Sequence, residues 1–200
     1  MQTKTIKTVG RTQIVLIQDR LDYTGDQIRP LWAFRELEIQ GDSIVIFRGA
    51  MKVGRDELID IKDLLREGDK EFPITSDDSL NFIIEHFDQP SLRLTYHRQR
   101  LLINQAKENI ERFGRITRKG SDLYYEDKKL SVSIATASVS SGKIHLGINI
   151  TEKGVPANVR AAGLQSLGVS DPLKLAEEIA VGYAEELKNI EDDITKTKVF

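Results

Sequence analysis

The chain has no cysteine and few aromatic residues: 6% of its 200 residues are Phe, Trp or Tyr, with a single tryptophan. The absence of cysteine excludes disulfides, thiolate metal ligands and cysteine nucleophiles. No stretch approaches the ~18 uninterrupted apolar residues that a membrane-spanning helix needs, and the first residues contain no apolar segment of the kind found in signal peptides. We therefore expect a cytoplasmic protein that does not enter a membrane.

An excess of charge of either sign is also absent. The chain carries 29 basic and 31 acidic residues, for a formal charge of -2. No global field attracts nucleic acid, so any anion site has to be local. The glycine-rich fingerprints of dinucleotide and phosphate loops are missing. His86, His97 and His145 do not show the spacing of metal ligands, so no metal site is predicted.

What is present is an alternation of short β-branched runs with amphipathic segments. It predicts a single domain over residues 1–200, with an α+β fold and a mixed, largely antiparallel central sheet flanked by helices. The predicted strands are 12–17, 43–48, 115–118, 121–125, 128–138 and 143–151. The predicted helices begin at Pro30, at about Tyr96 and at Asp171. A charged stretch with Gly54, Gly68 and Pro73 predicts a partly helical excursion.

Alternation along the last two predicted strands suggests an unusually small polar face. If Leu130 and Ile144 point to the core, the other face carries Lys129, Ser131 and Ser133 beside His145, Gly147 and Asn149. Polar strand faces are usually solvated. Small side chains also admit a helix or a ligand, or the close packing of a second subunit in a homodimer. The pattern leaves these alternatives open.

Candidate binding residues lie around this face. Lys129 could supply a mobile positive charge to a carboxylate or phosphate, although it could equally be an exposed turn lysine. Arg48, Arg98 and Arg100 are planar donors suited to phosphate, although exposed arginine is common. No Ser/His/Asp order or acidic pair predicts a nucleophile or acid/base chemistry, so positioning and charge stabilisation are the expected contributions.

The segment DLYYEDKKLSVSIATA followed by KIHLGINI resembles the catalytic core of biotin protein ligases and lipoate ligases, whose sheet is shared with class II aminoacyl-tRNA synthetases. The resemblance implies that Lys129 contacts an acyl-adenylate, and that Asp122 and Asn149 match the aspartate and asparagine of neighbouring strands. It also implies activation of a carboxylic acid with ATP and Mg²⁺, then transfer of the acyl group to a lysine of a carrier protein.

With TGDQIRPLWAF, GDSIVIFRGAMKV and EHFD, the whole chain is identified as a member of a mainly archaeal family, domain of unknown function 366. The ligases' Gly-Arg-Gly-Arg-Arg-Gly loop is absent, so Arg48, Arg98 or Arg100 would have to replace it. The hypotheses are a ligase or acyltransferase that binds a nucleotide or acyl-adenylate, a non-catalytic module for a protein or RNA partner, and a structural homodimer.

Overall fold

Nine strands and four α-helices make up the part of the chain that this computed structural model describes, residues 3–66, 74–88 and 91–199. The strands are β1 (Lys4–Val9), β2 (Thr12–Ile17), β3 (Ser43–Val53), β4 (Ile74–His86), β5 (Ile116–Lys119), β6 (Asp122–Tyr125), β7 (Lys128–Lys129), β8 (Ser131–Ala137) and β9 (Gly142–Asn149). The helices are α1 (Trp32–Leu37), α2 (Ile61–Arg66), α3 (Leu92–Ile110) and α4 (Pro172–Lys196).

Six strands form the main sheet in the order β1-β2-β3-β4-β9-β8, and β5, β6 and β7 form a small second sheet. Strands β2 and β3 are parallel, whereas the other neighbouring pairs are antiparallel. Long central strands rich in isoleucine, valine and phenylalanine suit a sheet that is buried on both faces. The predicted mixed, largely antiparallel α+β fold is confirmed.

The two long helices pack on one face of the main sheet, which we call the helix face. Ser91 caps α3 by accepting a hydrogen bond from the Leu94 N–H at 3.1 Å, and Asp171 caps α4 by accepting one from the Lys174 N–H at 3.0 Å. Pro172 occupies the first turn of α4, as the sequence predicts. Their apolar stripes meet even-numbered strand residues such as Phe82, Ile84 and Leu146 in the larger core.

The opposite face, which we call the cover face, is buried by the chain between β2 and β3. Tyr23, Trp32 and Leu37 from this cover pack on Val45 and Phe47 of β3 in a second apolar core. The cover places a smaller, separate layer over the centre of the sheet.

Several element boundaries differ from the sequence predictions. Strand β1 is not predicted, because its exposed threonines and lysines lack an apolar alternation. Helix α3 begins at Leu92 rather than near Tyr96, since the Ser91 cap recruits the preceding turn. Strand β3 continues to Val53, where it still pairs with Ile74 of β4. Gly68 and Pro73, which belong to the charged stretch predicted to be partly helical, lie outside the described residues.

A buried ion pair anchors the cover to the sheet. Glu85 on β4 lies 3.0 Å from the Lys143 ammonium on β9, and their side chains are 2% and 0% exposed. Glu85 also accepts hydrogen bonds from the Ser141 hydroxyl at 2.7 Å and from the backbone N–H of Leu31 at 2.9 Å. Burial lowers the pKa of Lys143, and the Glu85 carboxylate opposes that shift. One carboxylate thus joins two strands to the start of α1.

We expect Glu85→Gln to destabilise the fold by about 3–5 kcal/mol, because it leaves the Lys143 ammonium buried without a counter-charge. The measurement is the free energy of unfolding in urea. Adding Lys143→Met should recover part of the loss, since no buried charge then remains. Asp192→Asn, which breaks the exposed pair with Lys188, is the control and should cost at most about 0.5 kcal/mol. A Glu85→Gln loss as small as that of the control would contradict this account.

Candidate functional site

The pairing of β8 with β9 corrects the predicted small polar face. Because Ala137 pairs with Gly142 at the turn, odd-numbered residues of β8 lie opposite even-numbered residues of β9. Ser131 pairs with Ile148 and Ser133 pairs with Leu146, so both serines lie on the helix face. His145, Gly147 and Asn149 lie on the cover face instead, beside Val132 and Ile134. The prediction of one continuous face with both serines was wrong.

The serines have structural partners on the helix face. Ser133 donates a hydrogen bond to the His145 carbonyl at 2.6 Å and accepts one from the Gln99 amide of α3 at 2.9 Å. Ser131 accepts a hydrogen bond from the Leu123 N–H at 3.0 Å, which ties β8 to β6. Their small size lets the helix and the second sheet approach β8.

His145 is the central polar group of the cover face. Its imidazole is stacked under the Tyr23 ring, with centroids 3.6 Å apart and planes inclined by 13°. The Nε2 atom lies 3.0 Å from the Asn81 amide oxygen on β4, and Asn81 in turn bonds to Ser79. Burial lowers the pKa of His145 to about 3, so the ring is neutral at physiological pH. Burial, assisted by the charge of Glu57, raises the pKa of Tyr23.

The space above Gly147 is filled by the chain itself. A Cβ atom on Gly147 would lie 2.5 Å from the sulfur of Met51. Likewise, a Cβ on Gly49 would lie 2.0 Å from the Leu21 carbonyl oxygen. Small residues here accommodate the cover, so their size is explained without a ligand.

A small pocket of about 60 Å³ remains beside the Tyr23–His145 stack. Its floor is formed by Val132 and Ile134 of β8, and its apolar walls include Leu58 and Ile74. Three carboxylates, those of Glu57, Asp60 and Asp63, also line it. The pocket therefore combines an apolar floor with an acidic side.

Lys129, Asp122 and Asn149, the three residues matched to the ligases, lie around one segment at the end of the sheet. The Lys129 ammonium is 2.9 Å from a carboxylate oxygen of Asp122, and both side chains are partly exposed. The Lys129 N–H donates to the Arg160 carbonyl at 2.7 Å, and its carbonyl accepts from the Ala162 N–H at 3.0 Å. Asn149, which is buried, donates from its amide to the Ala162 carbonyl at 3.3 Å.

The predicted arginines do not join this group. Arg48 forms a bidentate pair with Asp78, at 2.9 Å from Nε and 2.5 Å from Nη2. Arg98 forms a bidentate pair with Asp88, with both distances 2.6 Å, and Arg100 contacts the side-chain oxygen of Gln99. Two of the three are thus already held by carboxylates.

Sequence reasoning missed the residues that cover His145. Tyr23 and Met51 come from distant segments, and no local pattern links them to β9. A usable signal did exist for Glu85 and Lys143, since each charge directly adjoins an apolar strand residue, Ile84 or Ile144. Such residues are seldom fully buried unless they are paired.

We expect His145 to make the fold acid-sensitive. The pKa of His145 is about 3 in the folded chain and 6.5 in the unfolded chain. Between these two pH values only the unfolded chain binds the proton, so the free energy of unfolding decreases as the pH is lowered. Across this window the wild type should lose up to about 1.4 kcal/mol per pH unit more than His145→Gln. The free energy of unfolding in urea, measured at several pH values, gives both slopes. His97→Gln, at an exposed histidine, should keep the wild-type slope. Equal slopes for His145→Gln and the wild type would exclude this role.

No helix within residues 3–66, 74–88 and 91–199 is long and apolar enough to cross a membrane.

Comparisons with known proteins identify sequence relatives and structural neighbours of this chain. An uncharacterized protein of Methanocaldococcus jannaschii is 51% identical over 185 residues, which cover 92% of this chain and 83% of that protein. A protein of unknown function from Pyrococcus horikoshi has a solved structure that is 39% identical, with a TM-score of 0.88 over 94% of this chain and 99% of that chain.

Biotin protein ligases share the fold at much lower identity. The Aquifex aeolicus enzyme, solved in complex with biotin and ATP, is 16% identical and superposes with a TM-score of 0.58 over 90% of this chain and 72% of that chain. The sequence-based expectation of a ligase-like fold is confirmed. The family model described as domain of unknown function (DUF366) matches residues 12–198, and the chain belongs to that family.

Proposed function

We propose that the protein binds a small carboxylate or its acyl-adenylate next to Lys129 and acts as a ligase or acyltransferase. One observation carries the proposal: Lys129 and Asn149, which match the ligase motif, both bond to residues 160–162, and the matched Asp122 pairs with Lys129. The neighbour solved with biotin and ATP supports the ligand class, because it shares the fold.

Lys129 is the group suited to the developing negative charge. Its ammonium is partly exposed and its counter-ion Asp122 is also accessible, so an incoming phosphate can compete for the charge. In acyl activation, a carboxylate oxygen of the substrate attacks the α-phosphorus of ATP and pyrophosphate leaves. A partly exposed ammonium beside that phosphorus would stabilise the added charge. Lys129 also lies only three residues before Val132 in the pocket floor.

The proposed reaction would use ATP and Mg²⁺. Mg²⁺ prefers one or two carboxylates together with phosphate oxygens, and Asp60 and Asp63 on the acidic side of the pocket would hold it. When bound, the ion would neutralise phosphate charge. Glu57 is engaged by Arg29 at 2.5 Å, so it contributes mainly to the local field.

A second candidate is a non-catalytic module that keeps the ligase fold and binds a protein or RNA. It is favoured by the filling of the cover face, where Met51 occupies the space over Gly147 and Tyr23 lies on His145. The pairing of Arg48 and Arg98 with carboxylates leaves them less suited to phosphate, which makes a carrier-like protein the better partner.

We expect a non-hydrolysable biotinyl- or lipoyl-adenylate analogue to bind the wild type and to bind Lys129→Ala at least ~10-fold more weakly, because a charge-assisted contact is lost. Isothermal titration calorimetry measures both affinities. Lys128→Ala is the matched control, since it removes a neighbouring lysine that contacts Glu126, and should bind as the wild type does.

If Lys129→Ala and the wild type bind the analogue equally well, Lys129 is not part of the binding site. A wild type that binds neither analogue, while it binds a carrier protein or RNA, would support the second candidate. For RNA the affinity should fall steeply with salt.

A further inference from the structure

A larger cavity, of about 960 Å³, lies on the helix face, across the main sheet from His145. Residues of the β1–β2 turn, α3 and α4 line it, and Leu101, Leu187 and Ile194 contribute apolar walls. One part of the lining is strongly polar, and it includes Arg11, Asp42, His86, Asp88, His97 and Arg98. None of the ligase-matched residues lines this cavity.

Three possible ligands meet in this polar part. One ligating atom each from Asp42, His86 and Asp88 lies within 4.8 Å of the other two. The Nδ1 atom of His86 is 3.6 Å from Oδ2 of Asp42. Two ligands held at about 2.1 Å from one ion are separated by about 3.4 Å at the tetrahedral angle, so the Asp42–His86 spacing already suits a shared ion. To complete the set, Asp88 has to move closer to the other two ligands and exchange a contact with Arg98.

The orientation of His86 is fixed from behind. Its Nε2 atom lies 3.0 Å from the hydroxyl of Tyr183, a buried residue of α4. Metal-bound histidines are usually held in this way, with the second ring nitrogen bonded to an oxygen. His86 is only 2% exposed, and its Nδ1 is too far from Asp42 for an ordinary N–H···O hydrogen bond of about 2.7–3.2 Å. The buried Nδ1 atom of His86 therefore points toward the Asp42 carboxylate, at a distance close to that between two ligands of one metal ion.

Neighbouring donors fix the positions of both carboxylates. Arg98 donates hydrogen bonds to both oxygens of Asp88. Arg11 forms an ion pair with the Asp42 carboxylate. The Phe87 N–H, 2.8 Å from Oδ1, also fixes the position of the Asp42 carboxylate.

We propose that Asp42, His86 and Asp88 bind one transition-metal dication of the Zn²⁺, Co²⁺ or Mn²⁺ class. An imidazole with two carboxylates suits these ions better than Mg²⁺ or Ca²⁺, which prefer oxygen ligands alone. Because all three residues line the cavity, the ion enters from it, and its remaining coordination positions are reached from the same side. The site is separate from the Lys129 group and does not depend on the proposed ligase function.

Two arginines set the affinity of this site. Arg11 lies 2.9 Å from Asp42 Oδ2, and Arg98 holds both oxygens of Asp88 at 2.6 Å. Without a metal ion, the two arginines neutralise the two carboxylates. When a metal ion is present, the arginines compete with it for the same carboxylate oxygens. Arg98→Gln should therefore bind metal more tightly than the wild type, by at least about 10-fold if the arginine has to leave Asp88. An ion-pair network without a metal role predicts no such gain.

The test uses the full chain after treatment with a chelator, titrated with Co²⁺ and followed by visible absorption, with calorimetry for Zn²⁺. We expect one ion per chain, a loss of at least about 10-fold in affinity for Asp88→Asn, and unchanged affinity for His97→Gln. His97 lines the same cavity but lies outside the ligand set, which makes it the matched control. Asp88 is only half-buried, so its substitution should cost less stability than that of the buried His86.

Absence of binding to the wild type would overturn the proposal, as would equal binding to Asp88→Asn. A loss of binding in His97→Gln would move the site elsewhere in the cavity and also overturn it. Urea unfolding of each variant without metal separates these outcomes from a failure to fold.

Discussion

The packing of the cover face depends on the ion pair and hydrogen bonds of the buried Glu85 carboxylate. It satisfies the Lys143 ammonium, the Ser141 hydroxyl and the first backbone N–H of the turn that leads into α1. An ionised group at such depth is tolerated only when its partners are complete. The start of α1 is thereby fixed over strands β4 and β9, whereas Tyr23 is held on His145 by backbone hydrogen bonds with Ala50 and Lys52 of β3.

The two faces of the main sheet consequently have different chemistry. The helix face is filled mainly by aliphatic residues, and its polar groups form two sets, one beside β8 with Ser133 and Gln99 and one around His86. The cover face carries polar side chains along β4 and β9, including Asn81, Glu85 and His145, under a thinner layer of chain. A ligand that approaches the pocket beside His145 meets side chains of the cover, whereas Lys129 stands at the edge and is reached directly.

Much of the architecture could be predicted from local patterns. Strands β8 and β9 show β-branched alternation, and α4 shows a proline start and an apolar stripe, so neither required knowledge of distant contacts. Lys129 and Asp122 are close in sequence, and their pairing follows from the short turns between β6 and β8. The assignment of Ser131 and Ser133 failed because the face of a strand depends on the register of its partner. A change of one residue in the turn reverses every side chain. Tyr23, Met51 and the Asp42–His86 contact depend on segments far apart in the chain, which no local periodicity reveals.

The pairing of β4 with β9 has a consequence for how the chain folds. Ile84 lies opposite Ile144, so the centre of the sheet closes only after a long intervening segment has been ordered. Hairpins such as β8–β9 can form early because their loops are short, but they cannot complete a sheet by themselves. Non-local pairing of this kind raises contact order and slows folding. We therefore expect the two strands that carry Glu85 and Lys143 to pair late in folding, so that their charges are buried late as well.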